Sequence, residues 1–308
     1  MISVLIPTYN YDCTRLVGEL HRQGQALLAA GLHFEYEILV GDDASTDSAS
    51  LAANREVNRQ SHCRFVEFSE NRGRAAIRNE LARMARYEYL LFIDSDAQVC
   101  STDFLRRYYL SAPDRSVVVG GLFNVPVQPS PAVSLRYRYE EAAQPRWTVA
   151  YREKHPYDAF STFNFLIRKD VFMQIRFDER CQHYGYEDTL FGFELERRGI
   201  PVLHIDNRLV HTGLEENSVF LRKTEAALRT LAGLDERTQH RVRVSRTANV
   251  LRRYGCATVF RSLHRIFSGT ERKHLCGKSP SLFVFNLYKL GYYLTLKHSG
   301  NDRPGNIV

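Results

Sequence analysis

The chain has 308 residues, 44% apolar and 25% charged, a balance that fits a folded domain with ample core and excludes a disordered or collagen-like chain. Its six cysteines (Cys13, Cys63, Cys100, Cys181, Cys256 and Cys276) show no CxxC or Cys/His ligand spacing. A zinc site and a disulfide framework are therefore not expected, and they are read as reduced thiols of a cytoplasmic protein. The formal charge of +7 is uneven: Met1–Ser218 carries 25 Lys and Arg against 30 Asp and Glu, whereas Val219–Val308 carries 17 against 5.

Ile2–Ile6 predicts a first strand ending at Pro7, and without a basic n-region MISVLIPTYN is read as that strand and not as a signal peptide. A helix from Thr14 to about Ala30 stops at Gly31. A second strand, Glu35–Val40, runs into GDDAS; a helix over Ser48–Arg59 and a third strand over Cys63–Phe68 follow. Arg74–Ala85 predicts a helix and Tyr89–Ile93 a fourth strand. Strands alternating with helices imply an α/β fold with a mostly parallel sheet, which binds ligands beyond the carboxyl ends of its strands. Each of these strands ends in polar residues: Thr8 and Asn10, Asp42 and Asp43, Glu70 and Asn71, Asp94 and Asp96.

From Ser101 to Ser218 the pattern is less regular, with strands at Val117–Gly121 and Phe163–Arg168 and a helix at Asp188–Arg198 closed by Gly199 and Pro201. Trp147, among Tyr137, Tyr139 and Tyr151 in sequence, is read either as a platform for a sugar acceptor or as a hydrophobic anchor. Beyond Val219 the chain reads as helical. Its last apolar element, Leu282–Lys297, puts Phe283, Leu287, Leu290 and Leu294 on one face and Asn286, Lys289 and Lys297 on the other. No window reaches the roughly 18 to 20 apolar residues of a spanning helix. The expected organisation is 1–100 and 101–218 as the two halves of one α/β domain and 219–308 as a basic, mainly helical region.

In an extended chain residues two apart share a side, so Asp94 and Asp96 converge while Ser95 points away. Carboxylates that close call for a counter-ion, and hard oxygen ligands suit Mg²⁺ or Mn²⁺; a helix cap beside a turn aspartate is the structural alternative. Arg74 and Arg78, four apart in ENRGRAAIRN, either meet a diphosphate or pair with the acidic strand ends. In the same stretch Asn71 and Gly73 open a helix whose N-terminus favours anions. Asp47 is read as a helix cap. There is no GxxxxGK[ST] and no GxGxxG, which removes the main support for kinase and dinucleotide readings.

ISVLIPTYN, ILVGDDASTD, ENRGRAAIRN, LLFIDSD and GYEDTLFGFELERRG, in that order over roughly the first 215 residues, resemble the successive motifs of family-2 glycosyltransferases. The resemblance implies a GT-A type fold with 1–100 as its nucleotide-sugar half and 101–218 as its acceptor-binding and catalytic half, a nucleotide-diphosphate sugar donor, a divalent metal and inversion at the anomeric carbon. Asp42 or Asp43 can accept from an imide N–H, which favours uracil and hence a UDP-sugar, and the resemblance assigns the carboxylate in the same way. It implies that Pro7, Thr8, Tyr9, Asp42, Asp43, Asn71, Arg74, Arg78, Asp94 and Ser95 line the donor site. Asp96, with Asp94 and His211, would hold Mn²⁺ or Mg²⁺, His204 being a competitor with poorer placement. Asp188 is assigned as the base and Glu187 as an acceptor ligand, with the reverse order left open. Asn164 and Gly120–Gly121 would stand beside the sugar. The acceptor is expected to be a saccharide or lipid-linked saccharide.

A nucleotide-sugar-binding scaffold without catalysis and a sugar nucleotidyltransferase are the competing classes, the latter lacking its glycine- and basic-rich N-terminal loop. No nucleic-acid partner is expected, because the basic excess lies outside the sheet and no recognition motif is present. The last helix either lies peripherally on the inner membrane face, through Phe283, Leu287 and Leu294 beside Lys289 and Lys297, or packs that face on the catalytic domain.

Overall fold

A computed structural model describes residues 1–112, 116–124, 129–179 and 185–299. Among the described residues ten strands occur: β1 (Ile2–Thr8), β2 (Tyr36–Asp42), β3 (Cys63–Glu67), β4 (Tyr89–Ile93), β5 (Ala97–Gln98), β6 (Val117–Val119), β7 (Leu122–Phe123), β8 (Asn164–Arg168), β9 (Val202–His204) and β10 (Leu209–His211). Seven form a sheet in the order β3-β2-β1-β4-β8-β6-β9, and three form a second sheet in the order β5-β10-β7. β1, β2, β3 and β4 are parallel, whereas β8 runs antiparallel to both β4 and β6. The fold is thus the mostly parallel α/β arrangement that the strand–helix alternation implies.

The flanking helices are α1 (Thr14–Ala29), α2 (Ser48–Arg55), α3 (Gly73–Met84), α4 (Phe104–Leu110), α5 (Ser134–Glu141), α6 (Val149–Lys154), α7 (Lys169–Ile175) and α8 (Glu187–Arg197). After them come α9 (Asn217–Gly233), α10 (Glu236–Arg241), α11 (Arg243–Arg253), α12 (Ala257–Leu275) and α13 (Leu282–Ser299). Two compact units result: Met1–Pro126, Ala143–Gln182 and Glu187–Gly213 in one, Val127–Ala142, His183–Tyr186 and Leu214–Val308 in the other.

Alternation along the central strands builds a core on each face of the large sheet. Val4, Ile6, Leu91 and Ile93 join Leu16, Val17 and Leu20 of α1 on one side. Leu5, Leu39, Leu90 and Phe92 join Phe165, Phe172 and Phe191 on the other. Each such side chain contributes roughly 1.5–3 kcal/mol of burial, so the strand ends that follow them are held on a rigid base. Gly31, at φ 68°, ends α1 in the left-handed region where the sequence places its stop. Asp47 accepts from the Ser50 N–H at 2.9 Å and caps α2, which continues as a 3₁₀ turn over Glu56–Arg59. Five cysteines (Cys13, Cys63, Cys100, Cys256 and Cys276) are free thiols, and Cys181 lies outside the described residues.

β6 is shorter than expected because Gly120 and Gly121 turn away to meet a buried polar knot. Gly121 has φ 91°, and a Cβ on Gly120 would lie 2.1 Å from Asn164 Oδ1 and 2.5 Å from the Tyr108 hydroxyl. Asn164 is wholly buried, and its amide donates to Gly121 O at 2.5 Å. The glycines therefore admit Asn164 and Tyr108, a correction to the expectation that they and Asn164 stand beside a sugar. The buried Arg152 donates to the carbonyls of Trp147, Val119, Gly120 and Ile205 at 2.9–3.3 Å and to His204 Nδ1 at 3.1 Å. Burial pushes His204 down to about 4, so its ring is neutral, accepting from Arg152 and donating through Nε2 to Pro156 O.

In the helical unit, α13 buries part of the apolar face expected from its sequence, together with aromatic side chains outside that face. Phe283 is 71% exposed, while Phe285, Tyr288, Leu290, Tyr293 and Leu294 are buried. The tyrosines behave as core residues because their hydroxyls find partners: Tyr288 donates to Glu225 at 2.6 Å, and Tyr293 donates to Gln239 at 3.0 Å with the Ser245 hydroxyl 3.1 Å away. Lys297 is drawn in as well, donating to Ala232 O at 3.3 Å.

Arg152→Ala would strand several buried carbonyls at once. A loss of ~3 kcal/mol or more in the free energy of unfolding is expected, measured by urea titration; a change below ~1 kcal/mol would contradict this role.

Candidate active site

The carboxyl ends of β1, β2 and β4 come level because Thr8 pairs in register with Asp42 and Leu5 with Phe92. Asn10, in the left-handed region at φ 51°, accepts the N–H groups of Thr46 and Asp47 at 2.7 and 2.9 Å, which joins the PTYN and DASTD loops. Thr8 is buried and donates to Tyr11 O at 3.0 Å, Pro7 is half-buried, and Tyr9 projects with 48% of its surface exposed.

The acidic pair after β2 is turned onto the loops around it. Asp42 accepts from Ser45 N–H at 2.9 Å and from the Ser45 hydroxyl at 2.5 Å. Asp43 accepts from the N–H groups of Arg72 and Gly73 at 2.8 and 2.9 Å, so the anion at the start of α3 is the protein's own carboxylate. Burial pushes Asp43 up, against the pull of those two N–H donors. Asn71 donates to Asp43 O at 3.0 Å and completes the loop.

Arg74 and Arg78 part company. Arg78 is buried and reaches Asp94 Oδ1 at 2.5 Å, also donating to Arg74 O at 3.2 Å. Of its two readings, the structure shows the ion pair with the strand end. Arg74 stays half-exposed, 3.7 Å from the buried Glu187 carboxylate. Burial pushes Asp94 up, Arg78 and Arg74 pull it down, and the Asp96 charge adds to the rise; the balance lies above the usual carboxylate range.

Asp96 meets a different partner. β10 pairs antiparallel with β5, with His211 opposite Ala97, so the His211 Nε2 lies 3.1 Å from Asp96 Oδ2. The Thr212 N–H and hydroxyl both donate to Asp96 O, at 3.0 and 2.7 Å, and the Tyr11 and Thr212 hydroxyls are 2.9 Å apart. Gly213 leaves the space that Asp96 fills: a Cβ there would lie 2.2 Å from Oδ2. Ser95, between the aspartates, is half-buried.

Among the described residues no three His, Cys, Asp or Glu side chains are gathered as a metal cage. Asp96 and His211 nonetheless fit as two ligands of one ion. Neighbouring ligands of an octahedral ion at roughly 2.1 Å stand about 3 Å apart, matching the 3.1 Å between Oδ2 and Nε2. One carboxylate and one imidazole also suit Mn²⁺, whose remaining positions substrate phosphate oxygens and water can take. His204 offers neither nitrogen, since Arg152 and Pro156 occupy both.

At the start of α8, Asp188 accepts from Thr189 N–H at 2.7 Å. Burial and the adjacent Glu187 charge push it up to about 6, which leaves it poised to take a proton near neutrality.

Residues 3–176, more than half of the chain, match the family described as Glycosyl transferase family 2. The chain belongs to that family. It is 34% identical over 122 residues to the poly(ribitol-phosphate) beta-glucosyltransferase of Bacillus spizizenii, covering 39% of this chain and 18% of that protein. It is 29% identical over 232 residues to the validoxylamine A glucosyltransferase of Streptomyces hygroscopicus subsp. limoneus, covering 66% of this chain and 49% of that protein. The matched regions thus span less than half of either relative. The mannosyltransferase PcManGT of Pyrobaculum calidifontis, solved with GDP-Man and Mn²⁺, superposes with a TM-score of 0.53 over 97% of this chain and 86% of its own, at 15% identity. This likeness places the family-2 chain among GT-A folds.

Tyr11, Thr212 and Gly213 are the members of the site that motif spacing does not single out, although the glycine two residues after His211 signals a close backbone approach. Gly213→Ala is expected to displace the Asp96 carboxylate and to lower turnover of a nucleotide-sugar donor at least about tenfold, the loss of a pairing worth ~1.4 kcal/mol or more. Crystallography and donor-hydrolysis kinetics would check this; wild-type rates with Asp96 unmoved would refute it.

Proposed function

We propose that the protein is an inverting glycosyltransferase that moves a hexosyl or N-acetylhexosaminyl unit from a UDP-sugar to a hydroxyl of a saccharide or lipid-linked saccharide. The observation that carries the reading is the Asp96–His211 pair, two metal-type donors 3.1 Å apart that only the pairing of β10 with β5 brings together. The glucosyltransferase names of two relatives support a hexosyl unit, and the Mn²⁺ in the PcManGT complex supports a divalent ion. Asp96 and His211 would hold Mn²⁺ or Mg²⁺. When bound, such an ion supplies positive charge against the diphosphate oxygens as they take on the leaving electron pair.

The chain's own groups account for the rest. Arg78 compensates Asp94, so a diphosphate arriving at Asp96 meets less repulsion from the neighbouring carboxylate. Arg74 is half-exposed, its charge acts on Asp94, and it is assigned to the donor phosphate. Pro7, Thr8 and Tyr9 form the lip of the base and ribose pocket. Asp42 and Asp43 shape its wall, and each oxygen that holds the loops keeps a second lone pair for an imide N–H of uracil. Asp188 takes the proton of the acceptor hydroxyl, whose oxygen bonds to the anomeric carbon while the bond to the UDP oxygen breaks. Attack from the face opposite the leaving group inverts the centre. Glu187, held by Arg74, raises the basicity of Asp188 and is assigned to an acceptor hydroxyl.

The base works only when deprotonated, so kcat should fall as pH drops through about 6. Glu187→Gln removes the neighbouring charge and should move that limb to lower pH. Asp188→Asn should lower kcat by ~10²–10⁴-fold with little change in KM. A pH profile flat between 5 and 8 would count against Asp188 as base.

UDP with Mn²⁺ should raise the melting temperature more than GDP with Mn²⁺, and EDTA or Asp96→Ala should remove the shift along with turnover. Binding without turnover of any UDP-sugar would favour the scaffold, and activity untouched by EDTA would remove the metal from the scheme.

A further inference from the structure

α12 carries an apolar face that stands in solvent. Val259, Leu263, Ile266 and Phe267 are 62%, 49%, 72% and 52% exposed. At 3.6 residues per turn these four fall within about 100° of one another around the helix. The other side of α12 is the packed one, with His264 and Leu275 buried. Tyr254, just ahead of the helix, is 74% exposed. Isolated surface aliphatics are ordinary, but four on one helical face mark an interaction surface.

Charge selects the partner. Val219–Val308 holds 17 Lys and Arg against 5 Asp and Glu; Arg252 and Arg253 precede the stripe and Lys273 follows it. The acidic residue of α12, Glu271, is turned to the buried His264, 2.7 Å from its Nδ1, and not toward the exposed stripe. A second copy of the chain would bring the same positive charge to the contact. A bilayer containing anionic lipid satisfies both features, because acyl chains accept the aliphatic side chains while headgroups meet the arginines and lysine. Among the described residues no helix is long and apolar enough to cross a membrane, so the contact would be peripheral.

We propose that the Val259–Leu263–Ile266–Phe267 face of α12 docks the protein on the surface of an anionic membrane. α13, to which its sequence points, has Leu294 in the core and cannot offer the face expected of it. The docking surface is independent of the donor chemistry, so failure of either reading leaves the other standing.

Co-sedimentation of the full chain with vesicles of phosphatidylglycerol and phosphatidylcholine tests this. Binding is expected to weaken at least tenfold for vesicles of phosphatidylcholine alone and for an Ile266→Ser/Phe267→Ser variant. Both replaced side chains are exposed, so circular dichroism and donor hydrolysis in solution should be unchanged. Equal binding by the variant, or equal binding to neutral vesicles, would overturn the proposal. Self-association in sedimentation velocity that the double substitution abolishes would also overturn it, by making a second copy the occupant.

Discussion

Two carboxylates, two residues apart at the end of a strand buried from Leu90 to Ile93, repel each other and resist desolvation unless each finds a partner. The structure resolves this by giving each a different partner. Asp94 takes the guanidinium of Arg78 from α3, and Asp96 takes the imidazole of His211 from β10. Removing Arg78 would leave one negative charge beside another, and removing His211 would take away the side-chain partner of Asp96, so α3, β4 and the small sheet meet at these two carboxylates. The same division makes the two aspartates chemically distinct: one is committed to an internal ion pair, the other faces a second metal-type donor.

A similar economy runs through the loops. Asp43 supplies the anion at the head of α3, Asn10 joins the first two loops, and Thr212 holds the backbone of Asp96 while meeting Tyr11. Loops at the end of a parallel sheet have no ladder to order them, and these side chains do that work through hydrogen bonds to backbone groups. Arg152 does so on a larger scale, satisfying four carbonyls from within the core. Its burial is tolerated because each N–H it directs at these groups finds an acceptor.

The fold was largely legible in the chain. Buried strands such as Ile2–Thr8 and Tyr89–Ile93 are continuous apolar runs with polar stops, and the helices between them carry clear apolar periodicity. The site was legible in part. The family resemblance pointed to Asp96, His211 and Asp188, and of these the structure brings Asp96 and His211 within 3.1 Å of each other. What was not legible was the use of each polar group. Gly120 and Asn164 read as pocket residues but form a buried knot with Tyr108, and α13 reads as an amphipathic helix although its tyrosines belong inside. Both errors share a cause: a polar atom is costly to bury only when unpaired, and its partner lies far away in sequence.

The chain by itself determined its strands, the helices between them, the acidic strand ends and the concentration of positive charge after Val219, because these depend on local composition and periodicity. Only the tertiary structure decided that Arg78 belongs to Asp94, that His211 and Gly213 belong to Asp96, and that α12 rather than α13 turns apolar side chains outward. Those outcomes rest on pairings across tens of residues, such as β10 against β5 and α13 against α9 and α12. A spacing rule sees neighbours along the chain. Charge compensation and burial act between neighbours in space.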